Sequence, residues 1–202
     1  GVLVSTKAIT FNGVAVALSA ALTSGQKTWI APTQTTTVTV TAKDSAGNAA
    51  SNTPTITATS ANTAAATVSV TGLVVTITGV AAGTSVITLA NLTSSATVTK
   101  TLTVTVSKVS AASVALSFDK TEYAAGEKMT ITVTALDSNG AGVADGSRDL
   151  FSAAGITSNV ALQGASWTAS ATVAVVAGKK TYSAYAPLVA GPVSVMATQG
   201  AA

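Results

Sequence analysis

The sequence predicts an all-β chain of two similar antiparallel sandwiches in tandem, on three observations. Residues 37–47, TVTVTAKDSAG, return at 130–140 as TITVTALDSNG, with eight of eleven positions identical at an offset of 93. A period of about a hundred residues is the size of one compact domain, so 202 residues hold two. Apolar residues are 48% of the chain and aromatics only 4%, the apolar part being mostly Ala and Val interleaved with Thr. β-Branched Val and Thr are stiff at χ1 and suit a pleated, half-buried surface better than a helix. The third observation is period-2 alternation with turn signals about every ten residues.

Taken in order, Gly1-Val2-Leu3-Val4 reads as a strand completing a sheet begun by a preceding segment, so residues 1–6 are set apart within a first unit, 1–108. The chain opens at Gly1 without Met and shows no leader, which reads as a processed or excerpted polypeptide. In Thr37 to Ala42 the even positions face a core and the threonines face away. Val68 and Val70, Leu73 to Thr78, and Thr84 to Leu89 continue the series, separated by Thr71-Gly72 and by residues 79–83, GVAAG. Val98 to Val106 is the longest clean alternation. The Ala-rich stretch Asn62 to Ala66 is too short for a helix and allows a single turn.

Lys108 to Ala112, KVSAA, reads as a linker too brief for free reorientation, so the pair should be semi-rigid. The second unit, 112–202, reads as strands at Val114 to Phe118, Met129 to Leu136, Trp167 to Val176, Lys180 to Tyr185 and Val193 to Ala197, with a less regular middle from Arg148 to Leu162. In both copies Asp-Ser-x-Gly follows the long strand. Asp caps a turn through nearby backbone N–H groups and Gly supplies positive φ without steric cost.

Composition excludes several function classes. There is no Cys and no His, which removes disulfides, thiolate catalysis and the commonest general base and metal ligand. Ser and Thr abound, yet without such a base they are inert, and no glycine-rich phosphate loop occurs. The chain therefore reads as no enzyme. No apolar run approaches the roughly 18 residues of a membrane span. Lysines are scattered, which argues against nucleic acid. Charged residues are only 8% of the chain. Residues 1–111 hold five Lys against Asp44, about +4, and residues 112–202 hold five basic and six acidic groups, about −1.

Two stretches resemble a known family. Thr67-Val68-Ser69-Val70-Thr71-Gly72-Leu73-Val74, followed by Gly79-Val80-Ala81-Ala82-Gly83-Thr84-Ser85-Val86-Ile87-Thr88, is similar to the core of the bacterial group 2 immunoglobulin-like domains of adhesins and surface-layer proteins. Tyr123-Ala124-Ala125-Gly126-Glu127, leading into Thr130 to Gly140, is similar to the invasin-like group 1 pattern. The resemblance implies two tandem immunoglobulin-like antiparallel β-sandwiches, and an extracellular, cell-surface setting. It supplies no catalytic residues. The middle of the second unit, Arg148 to Gly164, departs from both patterns.

Candidate sites are few. Asp137, Asn139, Asp145 and Asp149 fall within thirteen residues, and oxygen-rich loops hold hard cations, so this loop is the candidate calcium site. An EF-hand register from Asp137 fails, with Ala141 at the fifth position and Arg148 at the twelfth; the alternative is turn-forming Asp, Asn and Gly. Asn91-Leu92-Thr93 is an N-x-T sequon, making Asn91 the candidate glycosylation site. Trp29 and Trp167, one per unit, read first as core anchors, and Tyr182 and Tyr185, assigned to one strand face, as a carbohydrate platform only second.

The expected role is a structural, self-assembling segment of a prokaryotic surface layer whose partners are other copies of itself in a lattice or filament. The alternatives are stalk domains of an adhesin or an immunoglobulin-like decoration domain of a phage virion, with a cell-surface glycan as a further partner. Contacts between copies are expected through weakly charged faces and through edge strands such as Thr84 to Ala90, which carry neither charge nor proline.

Overall fold

The computed structural model describes residues 9–51, 55–91, 98–167 and 169–200. Among them every regular element is a strand. The N-terminal sandwich contains β1 (Ala17–Leu22), β2 (Trp29–Ile30), β3 (Thr35–Lys43), β4 (Ile56–Ser60), β5 (Ala66–Thr71), β6 (Val74–Gly79), β7 (Gly83–Asn91) and β8 (Val98–Val106). One sheet has the order β1-β3-β6-β5 and the other β2-β8-β7-β4. This is the immunoglobulin arrangement of four strands facing three, with the first strand divided between the sheets. The short β2 runs parallel to β8, and every other ladder is antiparallel.

Alternation explains the core. Val38, Val40 and Ala42 of β3 are buried and meet Val75 and Ile77 from their own sheet and Ile87, Leu89, Val104 and Val106 from the facing one. The intervening threonines of β3 are exposed. β5 and β6 join through a two-residue hairpin, Gly72-Leu73, in which Gly72 has φ 60°. Asn62 closes a single turn, its carbonyl accepting the N–H of Ala66 at 3.0 Å.

The second sandwich contains β9 (Ser113–Phe118), β10 (Lys128–Leu136), β11 (Gly146–Asp149), β12 (Phe151–Ser158), β13 (Thr172–Val175), β14 (Lys179–Tyr185) and β15 (Val195–Gln199). They form β14-β10-β9 and the two-stranded ladders β11-β13 and β12-β15. The irregular middle is therefore two strands meeting at Leu150, with a register shift between Phe151 and Ile156. Gly155 sits there at φ 62°, and a Cβ on it would lie 2.4 Å from the Ser170 nitrogen. Met129, Ile131, Val133 and Ala135 of β10 are all buried, Val133 and Ala135 within a cluster with Leu150, Phe151, Ile156 and Val173. Among the described residues no ladder joins strands of one sandwich to strands of the other.

The strand Thr84 to Ala90 corrects an expectation. It lies inside β7, hydrogen-bonded to β8 on one side and β4 on the other, so it is not an edge. In the first sandwich the outermost strands are β1, β5, β2 and β4.

Candidate functional site

The repeated Asp-Ser-x-Gly turn has the same geometry in both copies. Asp44 Oδ1 accepts the N–H groups of Ala46 and Asn48, each at 2.9 Å, and Oδ2 accepts that of Gly13 at 2.9 Å. Asp137 Oδ1 accepts the N–H groups of Asn139 and Ala141 at 2.8 and 3.1 Å, and Oδ2 accepts that of Lys108 at 3.1 Å. Both carboxylates are buried. Gly47 and Gly140 close the turns at φ 82° and 77°. One oxygen shapes the turn while the other grips the chain entering the sandwich. These N–H groups, that of Gly13 first, hold the Asp44 carboxyl below its ordinary value, against the opposing effect of burial.

In the second copy the gripped chain is the linker, and a joint is built around it. The Ala144 N–H donates to the Lys108 carbonyl at 3.0 Å, and the Asp145 N–H donates to the Trp29 carbonyl at 3.1 Å. Gly142 lies under the Trp29 ring: a Cβ there would sit 3.0 Å from Cζ3 and 2.4 Å from the Ala177 oxygen. The hairpin tip Ala177-Gly178, with φ 50° and 69°, tucks in from below, and the Asp145 carboxylate accepts the Ala177 N–H at 2.6 Å. Trp29 is thus a half-buried contact between the sandwiches rather than a core anchor. Trp167 does pack against the second core, edge-on to Tyr182 with centroids 6.4 Å apart.

The four candidate calcium ligands do not converge. Asp137 is committed to three N–H groups, Asp145 to Ala177, and Asp149 accepts the Thr172 hydroxyl at 2.6 Å. Asn139 is an exposed turn residue. Among the described residues no three acidic side chains come together. The geometry makes Asp137 and Asn139 turn residues and gives Asp145 and Asp149 partners on a distant hairpin and strand. Asn91 is fully buried at the end of β7, and Leu92 and Thr93 of its sequon lie outside the described residues. Tyr182 and Tyr185 lie on opposite faces, as residues three apart on a strand must. Tyr182 packs inward and Tyr185 lies outside, over Gly164.

Sequence reasoning missed an extension of the repeat. Thr28 to Gln34, TWIAPTQ, stands 93 residues before Thr121 to Glu127, TEYAAGE. Gln34 Oε1 accepts the Ala31 N–H at 3.0 Å, and Glu127 Oε2 accepts the Ala124 N–H at 2.8 Å. Thr33 and Gly126 share the left-handed conformation at φ 69° and 74°. Only two of the seven positions are identical, so the signal was below what the eye takes as a repeat. Around the second of these turns Asp119 accepts the Tyr123 hydroxyl at 2.7 Å and the Thr130 N–H at 2.7 Å, and Lys120 pairs with Glu127. The Tyr123 hydroxyl holds the Asp119 carboxyl below its ordinary value, Lys120 does the same for Glu127, and Glu127 in turn raises the Lys120 ammonium.

No family model and no curated protein matches the chain. Among solved structures it is similar to domains 5-6 of the S-layer protein SbsC, at 20% identity over 93% of this chain and 98% of that one, with a TM-score of 0.40. It is similar also to the D0-D1 domain of intimin, at 17% identity over 91% and 90% of the two chains and a TM-score of 0.38. A third is the Escherichia coli adhesin FdeC, at 22% identity and a TM-score of 0.35, where 90% of this chain spans 59% of that one. The sandwich assignment rests on the strand order above and not on these superpositions. Among the described residues no helix is long and apolar enough to cross a membrane.

Proposed function

We propose that the chain is a structural, self-associating segment of a prokaryotic extracellular surface layer, built as two immunoglobulin-like units, 1–108 and 112–202. The observation that carries this reading is the character of the sheet edges. β5 (ATVSVT), β4 (ITATS), β9 (SVALSF) and β15 (VMATQ) hold no charged residue and no proline. Outermost strands normally carry such residues to prevent pairing with another chain. In a chain only 8% charged, neighbouring copies are the natural cover for these edges, and partner contacts bury no unpaired charge. Without His or Cys the chain has no plausible proton-transfer or nucleophile system, so the role is not catalytic.

The stalk of an adhesin is the second reading, and the joint favours it. A linker tied by Asp137 and capped by Trp29 holds two sandwiches in a fixed relation, as a stalk requires. A virion decoration domain needs no such stiffness. Imaging the surface of the native source separates the readings: a periodic coat is the expected result, and isolated fibres without a lattice would favour the stalk.

A further inference from the structure

The fold collects basic residues that the sequence scatters. Lys27 belongs to the first sandwich, just before β2, while Arg148 lies in β11 and Lys179 and Lys180 open β14 in the second. The joint brings them to one cleft of about 510 Å³, lined by Lys27 from the first sandwich and by Gly146, Ser147, Lys179, Lys180 and Thr181 from the second. That volume falls in the range of small-ligand sites.

Two of these cations converge on a glycine. Gly146 has φ 126°, and the position a Cβ would take on it lies 3.5 Å from Arg148 Nη2 and 3.7 Å from Lys27 Nζ. A side chain there would fill the space between them. The guanidinium is fixed: its Nε donates to the Ala144 carbonyl at 2.8 Å and its Nη2 to the Asp145 carbonyl at 2.7 Å. With five N–H donors on the fork, Arg148 keeps others for a further acceptor. Lys180 lies over the Tyr182 ring, 5.7 Å from its centroid.

The charges are not neutralised from within. Among the described residues the one ion pair is Lys120 with Glu127, so no acidic side chain pairs with Lys27, Arg148, Lys179 or Lys180. The carboxylates closest to Arg148 in sequence are committed elsewhere, Asp145 to the Ala177 N–H and Asp149 to the Thr172 hydroxyl. Burial holds the Arg148 guanidinium below its ordinary value, and Asp145 offsets this only in part. Like charges this close repel, and a half-buried setting screens them less than open water does.

We propose that this cleft binds a phosphate group, whose oxygens bridge Lys27 and Arg148 over Gly146, with Lys179, Lys180 and the hydroxyls of Ser147 and Thr181 around it. A tetrahedral oxyanion offers several acceptors at once to a planar guanidinium and to ammonium groups, and its charge relieves their repulsion. Glycine leaves it room to approach the backbone. Because Lys27 and Arg148 belong to different sandwiches, the bound group ties one to the other and stiffens the joint. The cleft has room for an ester or a polymer that carries the phosphate as well as for the free ion.

Titration calorimetry of the full chain at low ionic strength, with orthophosphate and with polyphosphate, tests the site. Both should bind, more weakly as salt rises, and orthophosphate should narrow the distribution of distances between labels on the two sandwiches. Lys27 is exposed, so Lys27→Gln should leave circular dichroism unchanged, weaken orthophosphate binding at least tenfold and abolish the narrowing. Lys100→Gln, which removes the same charge from β8, should change neither. Lys27→Glu sets a carboxylate beside Arg148 in place of the anion, so its distances should be narrow without phosphate. Polyphosphate that binds more tightly per chain than orthophosphate points to a polymer as the source, and equal binding to the free ion; both uphold the site. Absence of binding by either probe at millimolar concentration overturns it. So does a loss in Lys100→Gln as large as in Lys27→Gln, which would mean general charge attraction, or a Lys27→Glu chain that still binds orthophosphate as the wild type does.

Discussion

Replacing Asp137 by Ala tests whether the repeated turn is a structural clamp. The side chain is 3% exposed and accepts three backbone N–H groups, from Asn139, Ala141 and Lys108. A buried donor left without a partner costs about 1–3 kcal/mol. Two of these donors belong to a surface turn and regain water in part, so the expected loss is about 2–4 kcal/mol in total. Asp137→Asn keeps Oδ1 for the turn and loses the grip on Lys108, for about 1–2 kcal/mol. Urea unfolding in a Trp29→Phe background reads the second sandwich through Trp167, the remaining tryptophan. The second sandwich should lose stability by this amount, and calcium or a chelator should leave the midpoint where it was. A loss below about 0.5 kcal/mol, or a calcium-induced gain that Asp137→Ala abolishes, would refute the clamp and restore a cation site.

Three further outcomes are expected. Thr33→Gly should stabilise the first sandwich by about 0.5–1 kcal/mol, because Thr33 is β-branched at φ 69° and its counterpart is already Gly126; a measured loss would mean the Thr33 side chain carries contacts that outweigh the strain. Gly142→Val should loosen the joint, since its Cβ meets the Trp29 ring and the Ala177 carbonyl; a broader distribution of distances between labels on the two sandwiches is the readout, and an unchanged one counts against the joint. Acid should destabilise the fold through Asp44, Asp119 and Glu127, whose carboxyls lie below their ordinary values. The unfolded chain then binds more protons in that range, so their contribution is complete above about pH 4 and is lost as pH falls through the lowered folded values. Denaturant midpoints from pH 7 to 2 check this, with Asp119→Asn flattening the decline; stability that rises on acidification is the contrary result.

The longest unbroken alternation was legible to the residue, and the shorter ones to within two residues at either end. Val98 to Val106 is β8 from end to end, because nothing in it interrupts the period. β12 was not legible, because Gly155 and the register shift break its alternation and put Ile156 and Phe151 on the same core across a bend. Alternation also cannot report how many neighbours a strand has, which is why Thr84 to Ala90 read as an edge and proved central. The candidate site divides the same way. Asp-Ser-x-Gly announced a turn from its chemistry, but that its second oxygen reaches Lys108 or Gly13 depends on chain 29 or 31 residues away. Four acidic or amide residues close in sequence looked like a cation loop, but the three Asp side chains are each drawn to a different backbone or hydroxyl partner and Asn139 lies exposed in the turn. Trp29 carries no local mark of a joint; its role follows from Gly142, more than a hundred residues on.

Self-association is the central claim, and sedimentation equilibrium of the full chain over a wide concentration range, with and without calcium, tests it most directly. The account predicts a weight-average mass that climbs above the 19.5 kDa monomer as concentration rises, in either condition. A mass that stays at the monomer value at the highest concentration would contradict it.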